Sequence, residues 1–155
     1  MSNSVVITSA CRTAVGSLGK SLKNISASEL GSTVISESIK RSKLKNDDID
    51  EVIMGQVLTG GTGQNPARQA AIKSGVPKEK PAYVVNQVCG SGIRSVVSGF
   101  QSIKAGDSRI LIAGGQESMS LAPHAIHLRD GKKLGDTDII DTLIKDGLWD
   151  AFNGY

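Results

Sequence analysis

The chain is predicted to be an α/β protein in which helices cover the faces of a layered, largely parallel sheet. Apolar runs of strand length alternate along the sequence with segments whose apolar residues recur at helical spacing. Short stretches rich in Gly, Pro, Asn and Asp separate these runs. Parallel strands need long crossover connections, and the intervening helices would supply them.

Four apolar runs predict strands, at residues 5–11, 51–58, 82–85 and 109–115. The run at 109–115 is apolar from Ile110 to Ala113 and then reaches two glycines. A continuous apolar run is typical of a strand that is covered on both sides. We therefore expect this strand to be buried on both of its faces.

Three helices are predicted between the strands. The first has either Ser26 or Ser28 as its N-cap, and the second runs from the N-cap Asn65 and Pro66 to a stop at Gly75. The third follows Cys89 and closes at Gly106. The apolar residues with helical spacing are Leu30, Val34, Ile35 and Ile39 in the first helix and Ile93, Val96, Val97, Phe100 and Ile103 in the third.

The character of the sequence changes after Glu117. Residues 118–141 are rich in Gly, His and charge, and we interpret them as an excursion from the sheet. The basic residues within 129–133 suit a solvated loop or a subunit contact. One more helix is predicted from the last apolar set, which is Ile139, Ile140, Leu143, Ile144, Leu148 and Phe152.

The 155 residues suit one domain with a sizeable core. Eighteen Lys and Arg against fifteen Asp and Glu give a net charge of +3, which argues against a nucleic-acid or membrane partner. The sequence has two cysteines and no signal-peptide pattern, which indicates free thiols in a cytoplasmic protein. A mitochondrial location stays open, because residues 1–28 contain seven serines, three basic residues and no acid.

Cys89 is the main candidate catalytic residue. It lies where an apolar run ends and a helical pattern begins, so the N-terminus of a helix would favour its thiolate by roughly 0.3 to 2 kcal/mol. Full activation of a cysteine normally needs a basic partner, usually histidine. Gly90 and Gly92 would permit a tight turn and leave backbone N–H groups free for an oxyanion.

Other interpretations of these residues are less specific. A cysteine beside an apolar run is often an inert core residue, which is the interpretation we favour for Cys11. The Gly-rich loops lack the Lys-Ser/Thr of a phosphate-binding loop. His124 and His127 have no third ligand near them in sequence, so we expect no metal site.

Several motifs in the same order resemble the thiolase family. They are residues 9–13 (SACRT), 55–58 (GQVL), 63–69 (GQNPARQ), 88–92 (VCGSG), 113–120 (AGGQESMS), 123–124 (PH) and 146–150 (DGLWD). The resemblance runs the whole length of the chain and is closest to the biosynthetic-type acetyl-CoA acetyltransferases. It implies a thiolase-like layered fold, with an N-terminal α/β domain at 1–117 and the start of a loop domain at 118–155.

The resemblance also implies a reaction. Cys89 would accept an acetyl group from acetyl-CoA, and the carbanion of a second acetyl-CoA would attack that acyl group to give acetoacetyl-CoA. No metal or redox cofactor is implied, since CoA thioesters are the substrates. Leu148 would line the substrate pocket, residues 121–141 would form a tetramerisation loop, and the protein would be a homo-oligomer whose dimer interface lies near Cys89.

The resemblance covers only the first part of a thiolase. The activating histidine, the second catalytic cysteine and most CoA-binding groups of the family have no counterpart in this sequence. We therefore expect no turnover by the chain alone unless another chain supplies the missing groups. The main alternative is a non-catalytic subunit that keeps the fold and exposes apolar surface, and a β-ketoacyl synthase of the same superfold is a weaker third interpretation.

Overall fold

The computed structural model describes residues 4–155, and its centre is a three-stranded parallel sheet. The strands are β1 (Glu51–Gly55), β2 (Ala82–Val85) and β3 (Leu111–Gly115), in the order β2-β1-β3. Val52 pairs with Ala82 on one side and with Ile112 on the other. The helices are α1 (Ala27–Arg41), α2 (Pro66–Lys73), α3 (Ser91–Ala105) and α4 (Thr142–Gly147).

The helices cover both faces of the sheet, as the sequence predicts. α1 and α2 pack together over one face, where Val52 and Met54 join the main apolar core. α3 packs on the other face, where Gly99 lies against Leu111 and Ala113. Because side chains alternate along a strand, neighbouring residues of β1 and β3 serve the two layers in turn.

Helix boundaries follow the local signals in the sequence. Ser26 caps α1 in a capping box with Glu29, which decides between the two candidate serines. The Asn65 side chain accepts a hydrogen bond from the Arg68 N–H at the start of α2, and Gly106 ends α3 with a φ of 86°.

The predicted strand at 5–11 is not formed. This segment lies beside α1, where Cys11 Sγ donates to the Val34 carbonyl oxygen and Arg41 Nη1 donates to the Ala10 carbonyl oxygen. A cavity of about 560 Å³ lies between residues 5–13 and β3. A strand requires a neighbouring backbone to pair with, and this cavity separates the segment from the nearest sheet edge.

The same cavity explains the exposure of β3. We expected this strand to be buried on both faces, but four of its five residues are half-buried and Gly115 is exposed. β3 is an edge strand, since it pairs only with β1 within the described residues 4–155. Burial on both faces depends on neighbours that the strand's own composition cannot specify.

Residues 118–141 leave the sheet as expected, but they also contain a small second sheet of two strands. β4 (His124–Ala125) pairs antiparallel with β5 (Ile140–Asp141), and α4 follows directly. α4 has only six residues, so the helix predicted from the apolar set at 139–152 is much shorter than that set. The division at residue 117 into two domains stays a prediction.

Candidate active site

The N-terminus of α3 lies directly on the ends of β1 and β3. A Cβ atom on Gly55 would approach the backbone of Ser91 and Gly92 to 2.4–2.6 Å, and one on Gly115 would lie 3.4 Å from Gly92 Cα. At Gly55 only glycine allows the strand end and the helix to meet at this distance, whereas the Gly115 contact is an ordinary one. Cys89 precedes this contact by two residues, so the sheet positions it at the helix N-terminus as predicted.

Side chains hold the turn that carries Cys89. Asn86 Oδ1 accepts from the Val88 N–H at 2.9 Å, and Ser91 Oγ accepts from the Gln87 N–H at 2.8 Å. Ser91 Oγ also donates to the Val88 carbonyl oxygen at 2.6 Å. Val88 has a φ of 49°, in the left-handed region that a β-branched residue rarely adopts. The turn is therefore a constrained element rather than a free loop.

Gly90 acts differently from the prediction. Gly90 has a φ of −82°, so the unusual backbone conformation falls on Val88 instead. The Gly90 and Ser91 N–H groups donate to Gln87 and Val88 carbonyl oxygens at 3.0 and 3.1 Å. Those two donors close the turn, so neither is free for an oxyanion. A Cβ on Gly92 would meet only open space.

Cys89 is exposed and lines a cavity of about 420 Å³. Leu148, the predicted substrate-binding residue, lines the same cavity, so the structure brings both predicted site residues together. Leu58, Met119 and Leu143 add apolar wall, while glycines 55, 92 and 115 leave room near the thiol. A small apolar group attached to the Cys89 sulfur would fit this space.

Glu117 also lines this cavity, although it is not among the site residues predicted from the sequence. Its Oε2 accepts from the Val57 N–H at 2.8 Å and its Oε1 accepts from the Leu58 N–H at 3.1 Å. Burial raises the pKa of this carboxyl group, and the two backbone hydrogen bonds offset part of that rise. An acid two residues after a strand-like apolar run was the available signal.

These hydrogen bonds also explain why β1 is shorter than predicted. We expected a strand over 51–58, but it ends at Gly55. Gln56 still donates to the Val85 carbonyl oxygen at 3.1 Å, and the next two N–H groups then turn to the Glu117 carboxylate.

Neither histidine belongs to the cavity. His124 and His127 are absent from the described residues that line it, and His124 Nε2 lies 3.9 Å from Asp141 Oδ2. The basic partner that a cysteine nucleophile normally requires is therefore not supplied by residues 4–155. Among these residues, no helix has both the length and the apolar character that a membrane crossing needs.

Comparison with known proteins gives one consistent family. The family model described as "Thiolase, N-terminal domain" matches residues 5–155. The chain is 56% identical to an acetyl-CoA acetyltransferase of Rhizobium meliloti (strain 1021) and 55% identical to one of Paracoccus denitrificans, covering 100% and 97% of this chain. It is 48% identical, over 99% of its length, to the cytosolic acetyl-CoA acetyltransferase of Rattus norvegicus.

The chain spans about two fifths of the length of these relatives, at 40%, 38% and 39% respectively. Its helix-covered parallel sheet and its motifs agree with the family model over nearly every residue. The chain belongs to the thiolase family.

Proposed function

We propose that the chain supplies the acyl-accepting part of an acetyl-CoA acetyltransferase. The observation that carries this proposal is the exposed Cys89 thiol, held at the N-terminus of α3 in a small, partly apolar cavity. The family and the names of its relatives support acetyl-CoA as the donor.

The chemistry uses two thioesters in turn. The Cys89 thiolate attacks the carbonyl carbon of acetyl-CoA, a new C–S bond forms, and CoA leaves as its thiolate and takes a proton. A second acetyl-CoA then loses a proton from its α-carbon to a base. Its carbanion attacks the acetyl group on Cys89, which releases the Cys89 thiolate and acetoacetyl-CoA.

The cavity suits the first step. Leu58, Leu143 and Leu148 provide apolar surface for the methyl group, and the glycines near Cys89 allow the thioester to approach the sulfur. The α-proton is acidified by the thioester itself, so the proposed reaction needs no metal or redox cofactor. The base for the second step would come from outside residues 4–155, since neither a histidine nor a second cysteine lines the cavity among them.

The remaining properties follow from the family and stay part of the proposal. We assign residues 1–117 to the N-terminal α/β domain and 118–155 to the start of the loop domain. Residues 121–141 would contribute to a homo-oligomeric contact in a cytoplasmic enzyme.

Acetyl transfer can be tested on the purified 155-residue chain. Incubation with radiolabelled acetyl-CoA, followed by mass spectrometry of peptides, should show an acetyl group on Cys89 and none in Cys89→Ala. Cys11→Ala is the matched control. The Cys11 thiol is hydrogen-bonded to Val34 and Ser38 of α1, so its removal should not affect labelling. A Cys89 thiol that reacts with iodoacetamide but never takes up acetyl would contradict the proposal.

A second candidate is a non-catalytic subunit that keeps the fold. The observation that favours it is the lack of a basic partner in the Cys89 cavity among the described residues. Assays of acetoacetyl-CoA formation separate the two candidates. We expect no turnover by the chain alone and turnover that depends on Cys89 once a chain carrying the remaining thiolase segments is added. If that mixture acetylates neither Cys89 nor acetyl-CoA, the non-catalytic assignment holds.

A further inference from the structure

We propose that Glu117 is a positioning residue for the Cys89 cavity: its carboxylate fixes the turn at residues 56–58 and so places the Leu58 wall of that cavity. This inference rests on the proposed function, since it assigns the cavity to the acyl group. Glu117 itself would not react; it acts through the backbone of Val57 and Leu58.

The Glu117 carboxylate holds the turn after β1. β1 ends at Gly55, and the Val57 and Leu58 N–H groups both point to Glu117, one to each carboxylate oxygen. An ionised carboxylate has two acceptor oxygens, so it satisfies both donors at once. Hydrogen bonds to a charged acceptor are also stronger than those to a neutral one. A glutamine at 117 has one acceptor oxygen and would turn an NH₂ group towards the other N–H.

A second set of side-chain hydrogen bonds holds the same turn. Gln116 Nε2 donates to Gln56 Oε1 at 2.8 Å, and Gln56 Nε2 donates to the Leu58 carbonyl oxygen at 2.9 Å. Both glutamines are buried, and a Cβ on Gly31 would lie 1.9 Å from Gln116 Oε1. The side chains of Gln116 and Glu117 therefore join the end of β3 to the turn after β1. Together they hold that turn in a single conformation.

Leu58 connects this turn to the cavity. The Leu58 side chain is only 7% exposed, and a Cβ on Gly147 would lie 3.4 Å from Leu58 Cδ2. Leu148 follows Gly147 and lines the cavity together with Leu58. A shift of the Leu58 backbone would therefore change two parts of the apolar wall, while the hydrogen bonds that hold the Cys89 turn involve neither residue.

The test compares two probes that transfer an alkylthio group to Cys89 of the full chain. Methyl and hexyl methanethiosulfonate react identically: the thiolate attacks the alkylthio sulfur, a disulfide forms, and methanesulfinate leaves. Only the hexyl probe gains from the apolar wall. The ratio of the two rates, measured on the Cys89 peptide by mass spectrometry, cancels the thiolate fraction and reports the wall alone.

We expect Glu117→Gln to lower the hexyl-to-methyl ratio by about tenfold, the effect of one or two methylene groups losing apolar contact. The methyl rate should stay within about twofold, because the Cys89 turn is held separately. Asp50→Asn is the matched control. Asp50 Oδ2 also accepts from two consecutive N–H groups, those of Arg109 and Ile110, but at the opposite end of the sheet. Its ratio should equal that of the wild type.

Two results would overturn the inference: an unchanged ratio in Glu117→Gln, or an equal fall in Asp50→Asn, which would mark a general loss of stability. Hydrogen exchange of the wild-type chain tests the two hydrogen bonds to the Glu117 carboxylate without any variant. The Val57 and Leu58 amides should exchange slowly although they lie outside every strand. Fast exchange would contradict the inference. Glu117→Gln could lower the hexyl-to-methyl ratio as expected while Cys89 of the wild type takes up no acetyl group from acetyl-CoA. That result would reject the proposed function and leave the role of Glu117 intact.

Discussion

At the scale of single residues, the most unusual feature is the backbone of Val88, next to the candidate nucleophile. A left-handed conformation costs an L-residue roughly 1–2 kcal/mol, and a β-branched side chain tolerates it poorly. Asn86 and Ser91 hydrogen bonds hold Val88 in this state. Strain of this kind persists where the surroundings over-determine the backbone, and here the strained residue directly precedes Cys89.

Val88→Gly should therefore raise the free energy of unfolding by about 1 kcal/mol, since glycine accepts a φ of 49° without steric cost. Urea denaturation measures this change. Acetyl transfer to Cys89 should fall by about tenfold, because a looser turn holds the sulfur less accurately. Lys43→Gly is the control: Lys43 has a φ of 56° and lies in an exposed turn after α1, so it should gain similar stability with unchanged labelling. Equal labelling in both variants would show that the strain has no role at the site.

At the scale of elements, the site depends on how closely α3 approaches the sheet. Gly55 and Gly115 end neighbouring strands, and Gly92 lies in the first turn of the helix that packs on them. The fully buried Ser95 adds to this contact, because its Oγ donates to the Gly92 and Gly114 carbonyl oxygens. The packing of three elements, rather than the turn alone, places Cys89 at the edge of the cavity.

Gly55→Ala should destabilise the protein by about 1–3 kcal/mol, because the new methyl group would overlap the backbone of Ser91 and Gly92. The N-terminus of α3 would have to move, so the rate of Cys89 modification by iodoacetamide should change as well. Gly114→Ala is a close control, since its Cβ would lie 3.8 Å from Met54 Sδ, an ordinary contact. Thermal unfolding and thiol labelling of both variants test this. A Gly55→Ala protein as stable as Gly114→Ala would contradict the packing argument.

At the scale of the whole molecule, apolar surface stays exposed around α3. Ile93, Val97 and Phe100 on this helix are 69%, 40% and 49% exposed, and the adjacent Tyr83 of β2 is 39% exposed. Contiguous apolar surface of this kind normally marks an interface. Exposed apolar surface is what the alternative interpretation of the sequence, a subunit that keeps the fold, predicts; on the first helix, by contrast, Ile35 and Ile39 are buried.

The 155-residue chain should therefore associate with itself as its concentration rises. Light scattering of the wild type should show a mass above 16.2 kDa, and a double variant, Ile93→Lys with Val97→Lys, should return it to the monomer value. Leu134→Lys serves as the control, because Leu134 is 90% exposed and belongs to the loop before β5 instead of α3. A wild-type chain that stays monomeric at high concentration would contradict this prediction.

Local patterns were reliable wherever a few neighbouring residues decide the structure. The Ser26 capping box, the Asn65–Pro66 helix start and the Gly106 helix end each satisfy hydrogen bonds within one or two turns of chain. The position of Cys89 between an apolar strand and a helix depends on the same short-range information. These features could be predicted from the sequence for that reason.

The sequence by itself determined the alternation of strands and helices, the position of Cys89 at the start of a helix, and the family. Only the tertiary structure decided that residues 5–11 form no strand, that β3 is an edge strand, and that Glu117 belongs to the site. Each of these depends on a partner distant in the chain, and for Glu117 the Val57 N–H is 60 residues away. Periodicity within a segment records the segment's own preferences, whereas pairing, burial and hydrogen bonding between segments exist only once the chain is folded.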